Sequence, residues 1–500
     1  MKKFILLFLL IPFLLGAGPR VTVDGNPQVT GDATFYDKIL RWNQGITSEV
    51  VTATTEDFTL YVRTTGSDSN DCLSTGAACL TIPEALTRIP KKIDHTIAID
   101  IGAGNFDGFD IENFNISRTG LLSLTGTLGN VSPASGTATG TADGGSTTQC
   151  VDSGQTWTVN DLRGSFVYVN SEYRIVRSNT ADTMELIGPL GASCSGKAYV
   201  IQEPTTVING YGALGFARVS VGSNTGARDT ISLTNLFISG GVLGLMTWYT
   251  NMPNLERIIC DAQSTTGFMF QDVVGGRGKF KDCVARDGAI GIDIQRHWGT
   301  FYGPGYTERL FAVNNSGAGF QIKYNMGTII ASYWYSDDNN IGFTATTDYS
   351  LEFKNSTTAY SNTSHGFSFT NVYTLNVSSI VSDSNGGYGV NLDSASGRGF
   401  TFFNGAGNLT ISNNTSGGII GNNHSTFSIS NCDGTGNGTY GLTLEYGSAA
   451  KITSDTDLTG ISGDATINAG TTALVWATDF NDNGDIVVNL DNGCRIERKD

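Results

Sequence analysis

Charge is scarce in this chain. Asp, Glu, Lys and Arg together make up only 15% of 500 residues, and 30 basic residues face 46 acidic ones, for a net charge of −16. No basic stripe offsets that excess, which excludes a nucleic-acid partner. With so few charges, the surface has to be covered by Asn, Ser, Thr and Gly. Proline is sparse at 10 residues while glycine reaches 64, so glycine makes the turns. No CxxC pair occurs among the eight cysteines, which argues against a zinc site. Nor, beyond the first residues, is any run long and apolar enough to span a bilayer.

The first residues read as an export signal. Lys2 and Lys3 precede an apolar run from Phe4 to Leu15, and Gly16, Ala17 and Gly18 supply small residues for cleavage. Residues 1–18 are therefore expected to leave the mature chain, which would be secreted and not membrane-spanning. Eight cysteines, an even number, fit that oxidising compartment. Cys72 and Cys79 bracket a short loop, and Cys150 and Cys194 bracket a longer segment. Cys260 and Cys283 stand one period of the repeat described below apart, while Cys432 and Cys494 remain by elimination.

What the chain does have is a repeat. A glycine followed by a short alternating run returns at Gly244, Gly267, Gly291, Gly319, Gly342, Gly366, Gly389, Gly418 and Gly441. The successive intervals are 23, 24, 28, 23, 24, 23, 29 and 23. Each run has period two, so it is a strand with one face inward. One such strand per period closes no core alone, whereas stacked coils do. The residues directly after the glycines, Phe268, Ile292, Phe320, Phe343, Phe367 and Val390, are expected to stack in line. Four residues before the glycines stand Gln263, Asp287, Asn315, Asp338, Asn362, Asn385, Asn414 and Asn437, a polar column suited to turns and to a hydrogen-bonded ladder.

The fold class that follows is all-β: a parallel β-helix with coils of about 23 residues. Thr81-Ile-Pro-Glu84 matches a capping box, so an N-terminal capping helix running to about Ile89 is expected over the open end. Residues 133–203 break the repeat with short strands at 165–169, 173–176 and 184–187, and read as a small β insertion pinned by Cys150 and Cys194. The organisation is then 1–18 signal, 19–57 N-terminal segment with a short helix at 32–42, 58–132 start and cap, 133–203 insertion, 204–465 coils, and 466–500 a C-terminal β hairpin. In the last segment, Asp479-Phe-Asn-Asp-Asn-Gly-Asp485 resembles half of a calcium loop, but Leu490 stands where a carboxylate is required. An Asn-Gly turn between 474–478 and 486–488 explains it more simply. No cofactor and no metal are expected.

The repeat resembles that of the pectin-lyase-like right-handed parallel β-helix superfamily over roughly residues 58–465. Leu60-Tyr-Val-Arg-Thr-Thr-Gly-Ser-Asp-Ser-Asn-Asp71, Gln155-Thr-Trp-Thr and Tyr173-Arg-Ile-Val-Arg-Ser-Asn-Thr are similar to modules of phage tailspikes. The resemblance implies a tailspike-like protein at a virion or cell surface, binding a polysaccharide or cell-surface glycan, and a homotrimer. The export signal departs from that class and keeps a secreted bacterial hydrolase or lyase open, and with it a non-catalytic adhesin or structural rod. Of the polygalacturonase motifs only Ser364-His365-Gly366, with Asp337-Asp338 before it, is present, and His365 stands where a turn residue is expected anyway.

The longest aromatic concentration is in the extended interval after Gly291. Arg296, His297, Trp298, Tyr302, Tyr306, Glu308 and Arg309 fall there, and Trp334 and Tyr335 follow one coil later. Aromatic faces stack on sugar rings and the charged groups bond hydroxyls, so these nine are the expected glycan-binding residues. The alternative is that the aromatics pack on the rod or a neighbouring subunit. If hydrolysis occurs there, Glu308 and Asp337 are the first carboxylates to test.

Overall fold

In a computed structural model, the described residues are 31–35, 38–42 and 53–498, apart from 213–216, 223–230, 252, 274–277, 297–306, 326, 349, 395–401, 430–431, 439, 446–447, 453–456, 461–464, 468–473, 478–485 and 489–494. The expected signal segment and calcium-loop residues lie outside them. No helix among the described residues is long and apolar enough to cross a membrane. The chain divides into a unit over 1–52 and a unit over 53–500.

In the first unit, Gly31–Phe35 pairs antiparallel with Lys38–Trp42. This corrects the helix expected at 32–42. Thr34, Phe35, Ile39 and Trp42 are β-branched or aromatic and suit a strand.

The second unit is a parallel β-helix. Its first sheet has thirteen strands, from Phe109–Glu112 to Ile486–Val488, every neighbouring pair parallel. The expected column is in register: Leu245, Phe268, Ile292, Phe320, Phe343, Phe367, Val390, Ile419 and Leu442 pair in succession. The rings of Phe320, Phe343 and Phe367 stack at 4.6 and 4.7 Å, the spacing of adjacent strands. The repeat glycines owe their identity to crowding. An ideal Cβ on Gly244, Gly267, Gly291, Gly319, Gly342, Gly366, Gly389 or Gly418 would lie 2.3–3.0 Å from the carbonyl oxygen of the repeat glycine one coil on.

Strands of the second sheet are bent. Asn235, Arg257, Asp282, Arg309 and Tyr333 align, one per coil, each at the bend with φ of 52–60°. Beyond the second sheet runs the polar ladder. Asn315, Asn339, Asn362, Asn385, Asn414 and Asn437 are buried, and each of the first five donates a backbone N–H to the Oδ1 of the next. Asn339 replaces Asp338 in this column, and Gly288 stands at the level assigned to Asp287, its N–H donating to Asn315 Oδ1 at 3.1 Å. The two aspartates lie one residue earlier, in the left-handed turn with Asn314 and Asn413. In these two coils the ladder position stands three residues before the glycine instead of four, so counting back four lands one residue early.

The capping helix is Ile82–Thr87, two residues shorter than expected. Thr81 Oγ1 accepts from the Glu84 N–H at 3.3 Å, and Ile82, Ala85 and Leu86 join the rod's core. Cys72–Cys79 and Cys150–Cys194 are bonded. Cys260 and Cys283 lie on neighbouring strands as expected, but Cys260 pairs in register with Ala285, two residues from Cys283, and both thiols are free. Leu474–Ala477 and Ile486–Val488 do not form a hairpin. They pair parallel with preceding coils in different sheets, because each apolar run meets an open strand edge.

The insertion is an antiparallel sheet between Leu128 and Pro204 with its own core around Trp157, Val167 and Ile201. It docks on the outer face of the second sheet. Phe166, Ile175 and Ile187 share a buried cluster with Ile259, Val284, Phe311, Val313 and Tyr335 of the rod. Around that cluster Arg286 bridges Glu203 of the insertion (3.1 Å) and Asp261 (2.8 Å), and Arg163 of the insertion holds Asp337 and Asp338.

Candidate functional site

Along each first-sheet strand, the second and fourth residues after the glycine point outward, because the first and third fill the core. Two outward columns result. Successive coils present Asp110 and Glu112, Ser220 and Gly222, Met246 and Trp248, Met269 and Gln271, Asp293 and Gln295, Gln321 and Lys323. Further on, the columns turn to Thr344, Thr346, Ser368 and Thr370.

One end of this face is a recess. Gly222 has no side chain, and the Trp248 indole occupies the space a Cβ would need, with that Cβ 2.1 Å from Nε1. Trp248 Nε1 donates to Ser220 Oγ at 3.2 Å. Tyr249, 57% exposed, meets the indole edge to face at 5.6 Å. On the other side of Gly222, Glu112 is next in register. Burial raises the pKa of its carboxyl above the ordinary glutamate value, and neighbouring Asp110 adds to the rise. A ring face beside two carboxylates can stack on a sugar and accept its hydroxyl protons.

The middle of the face carries Asp293. It is 3% exposed, Gln295 Nε2 donates to its Oδ2, and its Oδ1 has no partner. Burial raises its pKa against the opposing pull of Gln295 and Lys323. At the edge, exposed Arg296 pairs with Asp272 of the previous coil at 2.9 Å.

Of the nine residues expected from the sequence, Arg296 alone is placed on this edge. His297, Trp298, Tyr302 and Tyr306 lie outside the described residues. The other four belong to the second sheet, where Trp334 fills the rod's core and Tyr335, Arg309 and Glu308 belong to the side on which the insertion docks. Trp334 is fully buried, stacked on Phe320 at 5.0 Å, with Nε1 donating to Thr307 O at 3.3 Å. Tyr335 packs under the insertion beside Phe311 and the Arg177 guanidinium. Arg309 is buried on Asp282, with Glu308 as its second carboxylate at 2.8 Å.

Glu308 and Asp337 do not form a pair. Glu308 aligns with Ser332 and Asp337 with Val313, five residues further along the strand. Asp337 is pushed up to about 6 because its burial outweighs the Arg163 contact. His365 has the turn role expected of it. Its Nδ1 accepts from the Tyr388 N–H at 3.0 Å, and burial lowers its pKa, which keeps the ring neutral. No group of metal-binding side chains occurs among the described residues.

Sequence reasoning passed over the recess. Its signals were present: Phe109-Asp-Ile-Glu112 puts two carboxylates on one strand face, and Trp248 ends the first clear repeat.

No family model and no curated protein matches this sequence. Among solved structures, it is similar to the tailspike protein gp49 from Pseudomonas phage LKA1, with 12% identity, a TM-score of 0.20, and coverage of 76% of this chain and 72% of that one. It is also similar to the Gp54 tailspike of Acinetobacter baumannii bacteriophage AP22, in complex with capsular saccharide, at 7% identity and a TM-score of 0.21 over 80% of this chain and 74% of that one. A third is the GH136 lacto-N-biosidase from Eubacterium ramulus, at 10% identity and a TM-score of 0.28 over 88% of this chain and 68% of that one. The chain is a parallel β-helix by its own strand register.

Proposed function

We propose that this is a carbohydrate-binding β-helix protein, tailspike-like, working outside the cell or on a virion. The observation that carries the reading is the recess of Trp248, Gly222 and Glu112 on the outer face of the first sheet. Its ring face, exposed Tyr249 and flanking carboxylates suit a sugar ring with its hydroxyls. Arg296 opens the segment holding His297, Trp298, Tyr302 and Tyr306, which we assign to the same ligand from their residue types. A glycan array with the full chain tests this. Binding that Trp248→Ala weakens supports it, and binding indifferent to Trp248→Ala and Trp298→Ala moves the site elsewhere.

A second reading, hydrolysis, is favoured by one observation. Asp110 and Glu112 stand two apart on one strand face, about 7 Å between Cα atoms. Side chains leaving one strand face in parallel keep a spacing of that order, which is the order of the carboxyl separation in inverting glycosidases. Glu112 with its raised pKa would be the acid and Asp110 the base for water. Product analysis on the bound glycan decides: reducing ends released by the wild type and not by Glu112→Gln support catalysis, and none from the wild type leaves a binding protein.

A further inference from the structure

The outward columns of the first sheet are short of hydrogen-bond donors. Asp293 Oδ1 is buried and unpartnered, although strand alternation points this side chain outward. Gln321, its register partner one coil on, has Oε1 unpartnered. At the recess, Glu112 Oε1 is a third such atom. All three are acceptors, and a buried acceptor without a donor is a free-energy cost that an incoming donor removes. Charge on the same columns is predominantly negative. From Asp110 to Asn422 they hold Asp110, Glu112, Asp293 and Asp393 against Lys323 as the single cation among the described residues. Arg296 at the edge is engaged by Asp272.

We propose that this face selects a neutral or amine-bearing glycan, whose hydroxyl or ammonium protons are accepted at Asp293 and Glu112, and that it rejects polyuronates. The inference rests on the glycan-binding reading and names its substrate class. A uronate would set a second negative charge beside carboxylates in a partly dry site, where Coulomb repulsion is weakly screened. A hydroxyl or ammonium completes the orphan acceptors instead.

The test uses the full chain on an array carrying neutral polysaccharides, partially deacetylated chitosan and oligogalacturonates, followed by titration calorimetry with the bound class. Neutral or amine-bearing glycans should bind and oligogalacturonate should not. Asp293→Ala should weaken binding at least tenfold with no loss of thermal stability, since it removes a buried charge with an unmet acceptor. Glu112→Ala provides the same readout from the half-buried end should Asp293→Ala fold poorly. Oligogalacturonate binding that Trp248→Ala abolishes would overturn the substrate class and leave the glycan site standing. Unchanged affinity in both alanine variants would overturn the acceptor assignment. An array with no bound glycan of any class would overturn the reading beneath both.

Discussion

Arg309 grips Asp282 across a coil boundary, with Nε 2.6 Å from Oδ1 and Nη2 3.1 Å from Oδ2, beneath the insertion. Gly188 of the insertion comes close enough that a Cβ there would sit 3.0 Å from Arg309 Cδ. Asp282 is 1% exposed, and burial raises its pKa against the pull of Arg309. The pair is thus an anchor of the docking surface and has no route to a ligand.

Removing either partner strands the other charge in a dry site. Arg309→Ala should cost roughly 3–5 kcal/mol, the usual penalty for breaking a buried pair from one side. Urea titration monitored by tryptophan fluorescence measures it. Glycan affinity should stay at the wild-type value. A stable Arg309→Ala protein that no longer binds glycan would return Arg309 to the ligand site that its sequence context suggested.

The asparagine ladder makes a second stability prediction. Asn385 Nδ2 donates to Asn414 Oδ1 at 2.8 Å, and Asn362 Nδ2 donates to Asn385 Oδ1 at 2.8 Å. Asn385→Ala takes from the backbone N–H and the Nδ2 of Asn362 the acceptor they share inside the rod, while Asn414 Oδ1 keeps the backbone N–H of residue 385. Each stranded group costs roughly 1–3 kcal/mol. A shift in the denaturation midpoint worth less than about 0.5 kcal/mol, the scale of a neutral surface change, would show that the ladder is not stabilising.

These two cases mark what was legible in the sequence. The glycine period and the column from Phe268 to Val390 carried the fold, because a solenoid repeats its one strand pattern and its one crowded point in every coil. The ladder was legible except at Asp287 and Asp338, where the turn between ladder position and glycine is one residue shorter than in the other coils. The site was less legible. Phe311, Trp334, Tyr335 and Arg309 have the composition of a sugar site, yet Trp334 faces the rod's own core and the other three face a domain inserted more than a hundred residues earlier. Nothing local distinguishes an aromatic that meets a ligand from one that meets another part of the chain. The Trp248 recess depends on Gly222, one coil back, and only register brings the two together.

Asp348 makes stability depend on pH. Its Oδ1 accepts from the backbone N–H and the Nδ2 of Asn325, both at 2.9 Å, while Oδ2 has no partner. Burial pushes the carboxyl up to about 7. An unfolded aspartate titrates near 3.9, so between about pH 4 and 7 the folded state holds a proton that the unfolded state has released. The contribution is fully present below about pH 4 and is lost as pH rises through about 7. Asp348→Asn stays neutral throughout. Its stability relative to wild type should therefore rise between pH 4 and pH 8, by up to on the order of 4 kcal/mol. Thermal melts of both proteins across that range provide the check, and a difference that does not change with pH would exclude the effect.

Gly222→Ala tests whether the Trp248 seat matters. Gly222 lies within the strand Ala217–Gly222 and has no positive φ, so alanine suits its backbone. Only space is at issue: the new methyl would fall 2.1 Å from Trp248 Nε1 and 2.5 Å from Cδ1 and Cε2. Inward neighbours Val219 and Val221 keep the strand in the core, so the fold should survive. The indole has to swing outward and give up its bond to Ser220 Oγ. Tryptophan emission should shift to the red as the ring becomes wetter. Glycan affinity should fall about as far as in Trp248→Ala, with the thermal transition within about 2–4 °C of wild type, the scale of a 1 kcal/mol change in a large domain. If Gly222→Ala binds as well as wild type while its emission shifts, the indole moves without consequence and the recess is not where the sugar sits.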